Sequence, residues 1–334
     1  MENKQIIFTE KNTAKLLDTE YCPPEENEVV VKTVISSISA GTERANITGV
    51  AYPATGVAFP VKNMGYSSSG IVVEKGDAVE SVDIGDRVVV YWGKHAKYNT
   101  VSKENVVKIS DDSITFEEAA LAFITTFPLA AIRKTHFEIG ESAIVMGLGL
   151  LGQLAVRLLR ANGATPIIAI DPIKDRREEA LKNGADYAID PFEEGFAAKV
   201  KNLTDGGAKV GIEVTGVGAG LDGVLDCMAR FGRVALLGCT RDKNFTIDYY
   251  SKVHWPGITL IGAHTAARPM QESYPGYYTH RDDIKTVFKL CESKRMTLAD
   301  IVKETYRPSD CTEVYTRLVN DKAFPISAQF DWRI

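Results

Sequence analysis

Residues 143–152 read Ala-Ile-Val-Met-Gly-Leu-Gly-Leu-Leu-Gly. The four apolar residues predict a short buried strand, and the apolar-rich stretch 150–161 predicts a helix directly after the glycines. Gly147 permits a tight turn, Gly149 lets a pyrophosphate approach the backbone, and Gly152 allows the helix to pack closely on the strand. The N–H groups at the start of such a helix bind phosphates. This stretch therefore predicts a dinucleotide site, although a glycine-rich turn without a ligand has the same local pattern.

An acidic residue stands where such a site needs one. Asp171 ends the next apolar strand, at the spacing of about 20 residues that is typical of a ribose-binding carboxylate. A carboxylate accepts hydrogen bonds from a 2′-hydroxyl and repels a 2′-phosphate, so we expect NAD rather than NADP. Lys174 and Arg176 lie close by in sequence; they either partly favour NADP or belong to a solvated helix start.

The rest of this half of the chain alternates strands with helices. Near-continuous apolar strands in such an alternation predict a parallel sheet that is covered on both faces. Six strands match a doubly wound dinucleotide-binding sheet, and they are predicted at 143–146, 166–170, 187–189, 210–214, 233–237 and 258–261.

The first part of the chain has a different pattern. Valine-rich runs at 28–35, 70–74 and 87–92 alternate with Gly-Asp turns and predict a barrel-like β domain. Thr115 is predicted to cap a helix, which Pro128 kinks or divides. An apolar strand at 326–332 ends the chain. We therefore predict an α/β protein with one domain at 1–115 plus 268–334 and a second, dinucleotide-binding domain at 116–267.

Composition excludes several classes of function. The 334 residues carry a net charge of −5 with scattered lysines and arginines, so we expect no nucleic-acid partner. The chain shows neither a signal peptide nor an apolar run long enough for a bilayer, so we expect a cytoplasmic protein without a membrane partner. Five separated cysteines without a C-x-x-C pair predict thiols rather than disulfides or a structural metal.

Several motifs together resemble one known family. The block 65–76, Gly-Tyr-Ser-Ser-Ser-Gly-Ile-Val-Val-Glu-Lys-Gly, and Gly85-Asp86-Arg-Val88 are similar to the G-H-E-x-x-G and G-D-x-V signature of the medium-chain, zinc-type alcohol and polyol dehydrogenases. Ser39-Ala-Gly-Thr-Glu-Arg44 lies where that family has C-x-[ST]-D. The resemblance covers essentially the whole chain and implies a GroES-like barrel domain, a Rossmann domain, a nicotinamide cofactor, a small-molecule substrate and a homodimer or homotetramer. A weaker likeness points to a branch with bacteriochlorophyllide and sugar-alcohol dehydrogenases.

The positions of the family's catalytic zinc ligands are changed in this chain. Ala40 stands in place of cysteine, Tyr66 in place of histidine and Ser67 in place of glutamate, and the remaining ligand position falls near Ala122. The four-cysteine lobe of the structural zinc is also missing. Zinc needs thiolate, imidazole or carboxylate ligands, so we expect no zinc and no other metal.

The resemblance also implies catalytic roles. Thr42 holds the position of the family's proton-relay hydroxyl, and Tyr66 is expected to donate a hydrogen bond or a proton to the substrate oxygen; the alternative is that its ring only fills the space of the metal. Glu43 either acts as a base or, as we favour, pairs with Arg44 on the surface. His95 is either a proton-exchanging group or structural.

The remaining site residues follow from the same resemblance. Trp92 and His95 are expected to line the substrate pocket, and Thr126 to contact the nicotinamide. The expected cofactor contacts are Gly147, Gly149, Leu150, Leu151, Gly152, Asp171, Arg176, Thr126, Thr215, Gly238, Cys239, Ala263 and His264.

Three functions remain open from the sequence. The first is the interconversion of a secondary alcohol, polyol or sugar-like, and its ketone. The second is reduction of an activated C=C bond, as in the quinone and enone reductases of the same superfamily; these commonly prefer NADPH, which Asp171 counts against. The third is a cofactor-binding protein without turnover, because binding and catalysis use different residues.

Overall fold

The structure is a computed structural model that describes residues 2–50, 57–240 and 244–334. In chain order, its strands are β1 Asn3–Glu10, β2 Thr13–Thr19, β3 Glu28–Ser37, β4 Ser67–Lys75, β5 Arg87–Tyr91, β6 Tyr98–Ser102, β7 Val106–Lys108, β8 Ala143–Met146, β9 Ile167–Ile170, β10 Tyr187–Ile189, β11 Ala208–Glu213, β12 Met228–Leu236, β13 Thr259–Gly262, β14 Glu304–Tyr306 and β15 Ala328–Asp331. Its α-helices are α1 Ala40–Ile47, α2 Phe116–Lys134, α3 Leu150–Ala161, α4 Lys174–Lys182, α5 Phe196–Leu203, α6 Gly218–Cys227, α7 His280–Glu292 and α8 Cys311–Asn320.

Six of these strands form a parallel sheet in the order β10-β9-β8-β11-β12-β13. All residues of β8 and β9 are buried, which is expected of strands covered by helices on both faces. The strand order reverses between β8 and β11, and ligands of doubly wound sheets bind beyond the carboxyl ends of the strands at such a point. The predicted doubly wound sheet of six strands is therefore confirmed. β12 begins earlier than expected, at Met228, because its first residues pair with Ala208 across a register shift.

The β-rich part contains a seven-stranded sheet in the order β14-β15-β3-β4-β5-β7, with β6 paired to β3, and a separate hairpin of β1 and β2. Valines of β3, β4, β5 and β6 make one apolar core on this sheet. A second core surrounds Phe8, Tyr315 and Phe330. The predicted β-rich domain is confirmed.

Helix α2 begins as predicted but continues further. Thr115 Oγ1 accepts the N–H of Glu118, while Glu118 Oε2 accepts the N–H of Thr115, at 3.2 Å each. This is a reciprocal capping pair. The expected division at Pro128 is wrong, because Pro128 lies inside one helix that continues to Lys134. The alternative, a kink at Pro128, stays a prediction.

The chain divides into two compact units, residues 1–124 with 284–334 and residues 125–283. These boundaries lie inside α2 and α7. The sequence predicted them at 115/116 and 267/268, where the pattern of strands and helices changes. No helix among the described residues has the length and apolarity that a bilayer crossing requires.

Candidate functional site

The glycine turn of the second unit has the geometry that a bound pyrophosphate requires. Gly147 has a φ of +96°, and a Cβ on Gly152 would lie 2.0 Å from the carbonyl oxygen of Gly147. Neither position can therefore carry a side chain without a shift of the backbone. A Cβ on Gly149 would meet no atom of the described residues within 4 Å, its chain neighbours apart. Gly149 precedes Leu150 and Leu151, whose N–H groups belong to the first turn of α3, so the backbone here is open to a ligand.

Asp171 holds this turn from the neighbouring strand. Its carboxylate is buried; Oδ2 accepts the N–H of Leu148 at 2.8 Å, and Oδ1 accepts the N–H of Ile173 at 2.8 Å. Each carboxylate oxygen has a second lone pair, so two ribose hydroxyls can still donate to it. The carboxylate therefore stabilises the loop, and its contact with a ribose stays a prediction.

Two cations follow Asp171. Arg176 Nη1 lies 3.7 Å from Asp171 Oδ2, and its side chain is 31% exposed, so it can reach a ligand at the adenosine end of the site. Lys174 Nζ lies 3.6 Å from Glu178 Oε1, and the lysine side chain is largely exposed, as expected of a solvated helix start. The dinucleotide contact predicted for Arg176 stays a prediction.

A buried carboxylate that sequence reasoning missed organises the next loop. Glu213 ends β11, and its Oε1 accepts the N–H and the hydroxyl of Thr215 and the N–H of Gly216. Burial raises the pKa of Glu213, and these hydrogen bonds oppose the rise. A Cβ on Gly238 would lie 2.3 Å from the nitrogen of Gly216, so the loops after β11 and β12 touch at two glycines. The sequence signal was an acidic residue at the carboxyl end of an apolar strand.

The segment after β13 is held by a lysine. Lys134 Nζ donates to the carbonyl oxygens of Gly262 at 3.1 Å and Ala267 at 2.5 Å, and burial lowers its pKa. Ala263 is buried in this segment, whereas His264 is exposed and its Nδ1 accepts the N–H of Ala266 at 3.1 Å. The ring of His264 therefore stabilises its own turn. Cys239, at the end of the neighbouring strand, is exposed.

Thr126 lies in a buried network rather than on an open face. Its hydroxyl lies 3.2 Å from His280 Nδ1, and its carbonyl oxygen accepts a hydrogen bond from Arg268 at 2.9 Å. Arg268 and Arg133 both pair with the fully buried Asp283, at 3.1 and 2.9 Å. Burial, and then the charge of Arg268, lower the pKa of His280 to about 3, so its ring is neutral at pH 7.

The first unit brings together two hydroxyl groups. The phenol of Tyr66 donates to Ser39 Oγ at 2.5 Å. The ring of Tyr66 packs against Trp92 and Phe123 at centroid distances of 5.7 and 5.8 Å. Trp92 is 43% exposed, and its predicted role as a wall of the substrate pocket stays a prediction. Thr42 lies in the first turn of α1 and is partly buried.

Glu43 and His95 lie beneath these residues, fully buried. Glu43 Oε1 accepts the N–H of Ser39 at 2.9 Å, and Oε2 accepts the hydroxyl of Tyr315 at 2.6 Å. His95 Nε2 lies 3.3 Å from Glu43 Oε1, and Nδ1 lies 2.7 Å from Ser36 Oγ.

The favoured surface pairing of Glu43 with Arg44 is wrong, because the first turn of α1 directs the carboxylate into the core. Arg44 donates to the carbonyl oxygen of Leu318 instead, at 2.8 Å. A Cβ on Gly65 would lie 2.2 Å from the nitrogen of His95, so the glycine is needed there. The catalytic roles predicted for Glu43 and His95 stay predictions, and neither side chain is exposed.

The four positions where the family carries its zinc ligands hold a poor set of donors. Ala40 and Ala122 have none, the phenol of Tyr66 is bonded to Ser39, and Ser67 Oγ donates to the carbonyl oxygen of Ala120 at 2.6 Å. Among residues 2–50, 57–240 and 244–334, no three His, Cys, Asp or Glu side chains group around a possible metal. This set of side chains does not fit a tetrahedral zinc.

Known proteins are similar in sequence to most of this chain. The family described as Zinc-binding dehydrogenase matches residues 151–279, and the Alcohol dehydrogenase GroES-like domain matches residues 25–115. L-threonine 3-dehydrogenase of Pyrococcus horikoshii is 28% identical over 325 residues, covering 89% of each chain. D-guloside 3-dehydrogenase of Escherichia coli is 22% identical over 339 residues, covering 95% of this chain and 96% of that one.

A solved structure has the same fold. A protein from E. coli CFT073 described as a short chain alcohol dehydrogenase, in complex with NADH, superposes with a TM-score of 0.84 at 16% identity, covering 99% of both chains. The two family matches together span about two thirds of the sequence. With its GroES-like and doubly wound parts and its glycine turn, the chain is an oxidoreductase that belongs to the medium-chain alcohol dehydrogenase superfamily.

Proposed function

We propose that this protein interconverts a secondary alcohol and its ketone by hydride transfer, with NAD as cofactor and without zinc. The observation that carries the proposal is the pair of hydroxyls, Tyr66 on Ser39, at a position where the family has a metal ligand. A phenol can donate both a hydrogen bond and a proton to the substrate oxygen, which needs them during the reaction. The matched threonine and guloside dehydrogenases support an alcohol substrate.

The cofactor fits the second unit. The open face of Gly149 and the first turn of α3 would hold the pyrophosphate, and Asp171 would hold the adenosine ribose. The nicotinamide, when bound, supplies or accepts the hydride. Asp171 disfavours a 2′-phosphate, so NAD is proposed over NADP, with Arg176 as the residue through which NADP would be tolerated.

The chain's own residues then handle the oxygen and the proton. In the direction of ketone reduction, Tyr66 donates its proton to the oxygen of the substrate as negative charge develops there. In alcohol oxidation the phenolate accepts that proton. Trp92 and Phe123 pack on the phenol ring, so its orientation is restricted, and Thr42 assists from the first turn of α1. Glu43 and His95 support this region from the core.

The substrate class proposed is a polyol or sugar derivative. Support comes from the guloside dehydrogenase, which covers nearly the whole chain, and from the hydroxyl pair of Tyr66 and Ser39, which can bond to a polyhydroxylated ligand. We further propose a homo-oligomer. β13 is an edge strand of the six-stranded sheet with largely exposed residues, and unpaired edges of this kind pair with another chain.

The test is a substrate panel with the metal content measured on the same sample. Polyols, sugar alcohols and simple secondary alcohols are assayed with NAD, and enones and quinones with NADPH, before and after treatment with a chelator. We expect turnover of alcohols with NAD in protein that contains less than stoichiometric zinc, unchanged by the chelator. Activity only on enones with NADPH would replace the proposal by C=C reduction. Cofactor binding without any turnover would leave a binding protein, and stoichiometric zinc whose removal abolishes turnover would refute zinc independence.

A further inference from the structure

The hydroxyl of Ser39 does not make the helix-capping hydrogen bond that a serine at this position usually makes. Ser39 is the residue before the first turn of α1, and serine there commonly accepts a backbone N–H of that turn. Here its side chain makes no such bond. Glu43 reaches back to the N–H of Ser39 instead, so the backbone of Ser39 is anchored while its hydroxyl is turned toward Tyr66.

The contact between the two hydroxyls is short and enclosed. Tyr66 Oη and Ser39 Oγ are 2.5 Å apart, and both side chains are partly buried. A hydroxyl can both donate and accept, and its hydrogen rotates to suit its partner. Ser39 can therefore accept from the neutral phenol, as it does here, and donate to the same oxygen once that oxygen is a phenolate.

The second arrangement is the stronger of the two. A hydrogen bond to an ionised oxygen is roughly twice as strong as one between neutral groups. A partner that can rotate its hydrogen therefore stabilises the phenolate more than the phenol, and it makes the phenol a better proton donor.

The hydroxyl of Ser39 is in direct contact with the phenol oxygen of Tyr66. The ring of Tyr66 packs on Trp92 and Phe123, which do not titrate. Glu43 accepts the N–H of Ser39, and the ring of His95 contacts Glu43 and Ser36. Ser39 thus offers a hydroxyl that can respond directly to the charge of Tyr66.

We propose that Ser39 is a positioning residue for Tyr66, whose phenolate it stabilises after the phenol has protonated the substrate oxygen. This rests on the function proposed above. In the step, the phenol O–H bond breaks and the substrate O–H bond forms. The O–H bond of Ser39 stays intact and turns toward the phenolate, which takes its next proton from water. In alcohol oxidation the same hydrogen bond holds the phenolate ready to accept.

The test needs neither substrate nor cofactor. The protein is labelled with a fluorinated tyrosine, whose phenol ionises at lower pH than that of tyrosine, and is titrated by fluorine NMR; the signal of residue 66 is the one lost in Tyr66→Phe. We expect Ser39→Ala to raise the ionisation midpoint of that signal by about one pH unit, because the charge-assisted bond is lost. Ser39→Thr should restore it.

Matched variants separate this effect from a structural one. Ser37 lies two residues away, and its hydroxyl donates to the carbonyl oxygen of Ala120, not to Tyr66. Ser37→Ala should leave the midpoint of residue 66 unchanged. If Ser39→Ala does not fold, the pair Ser39→Thr and Ser39→Val, which have nearly the same shape and differ in the hydroxyl, decides the question by the same titration.

An unchanged midpoint in Ser39→Ala, or equal midpoints in the threonine and valine variants, would overturn the proposal. Because the titration is made on the free protein, a shifted midpoint stands even if the substrate panel finds no alcohol. Where the panel finds an alcohol substrate, Ser39→Ala introduced into the wild type should lower kcat about tenfold. Introduced into the Tyr66→Phe variant, it should have no further effect.

Discussion

Tyr315 Oη lies 2.6 Å from Glu43 Oε2, and neither side chain is exposed. Burial and the neighbouring carboxylate raise the pKa of Tyr315 far above its usual value, so the phenol is protonated and donates at neutral pH. This donor, the N–H of Ser39 and the ring of His95 surround the carboxylate. A buried carboxylate is stable only when it is hydrogen-bonded in this way.

Tyr315→Phe should therefore destabilise the protein by about 2 kcal/mol, because it removes a donor from a buried charge and leaves the apolar packing intact. Tyr306→Phe is the control, since Tyr306 also donates to a carboxylate, that of Glu304, but at a partly exposed site. It should cost less than about 1 kcal/mol. Denaturant unfolding of both variants measures the difference. Equal losses would mean that Glu43 does not depend on Tyr315.

Asp171 is expected to select the dinucleotide. Asp171→Ala should weaken NADH binding at least about tenfold and NADPH binding much less, because a 2′-phosphate gains from the loss of the negative charge. The two dissociation constants are measured by the fluorescence of the reduced cofactors. Arg176→Ala is the complementary variant; it should weaken NADPH more than NADH.

Two backbone N–H groups also depend on Asp171, so part of its effect is structural. The ratio of the two dissociation constants, rather than either one, is therefore the quantity that tests the ribose contact. A variant that loses both cofactors equally would show that Asp171 only shapes the loop.

The sequence predicted the sheet well, because its strands are short apolar runs between helices and the central ones, β8 and β9, are buried on both faces. Apolar runs at 143–146 and 187–189 became β8 and β10 with the same bounds. The glycine turn was predictable for a steric reason, since Gly147 and Gly152 admit no side chain there. A local pattern of this kind needs no knowledge of distant contacts.

The buried networks of polar side chains around Glu43 and Thr126 were not predictable in the same way. Glu43 and Arg44 are neighbours in sequence and suggested an exposed ion pair, but the partners of Glu43 include Tyr315, which is remote in sequence. Thr126, His280 and Arg268 likewise meet only through the fold. Hydrogen bonds between remote side chains leave no periodic signal in the sequence.

His280 should make the protein sensitive to acid. Burial and Arg268 lower the pKa of His280 from 6.5 to about 3, so the unfolded chain binds a proton that the folded chain does not. Its contribution to stability is complete above about pH 6.5 and declines by about 1.4 kcal/mol per pH unit as the pH falls toward 3. His280→Gln keeps a partner for Thr126 but cannot take up the proton.

The measurement is the free energy of unfolding of wild type and His280→Gln at several values of pH between neutral and about 4. As the pH falls, the free energy of unfolding of the variant should rise steadily relative to that of the wild type. The neighbouring Asp283 contributes equally to both. Parallel pH profiles would mean that the imidazole is protonated in the folded state.

Gly149 and Gly152 differ in what a methyl group would meet, and this gives a direct test of the dinucleotide site. On Gly152 it would lie 2.0 Å from the carbonyl oxygen of Gly147, whereas on Gly149 it would meet no atom within 4 Å in the part of the chain that the structure describes, its chain neighbours apart. The φ of Gly149, −69°, is also one that alanine adopts readily.

Gly152→Ala should therefore destabilise the fold by about 2 kcal/mol or more, because the backbone of the turn must shift. Gly149→Ala should unfold at nearly the wild-type temperature and still bind NADH at least about tenfold more weakly, since its methyl group occupies the space that the pyrophosphate needs. Thermal unfolding and NADH titration of the same two samples check both statements. Wild-type NADH affinity in a folded Gly149→Ala protein would place the pyrophosphate away from this turn.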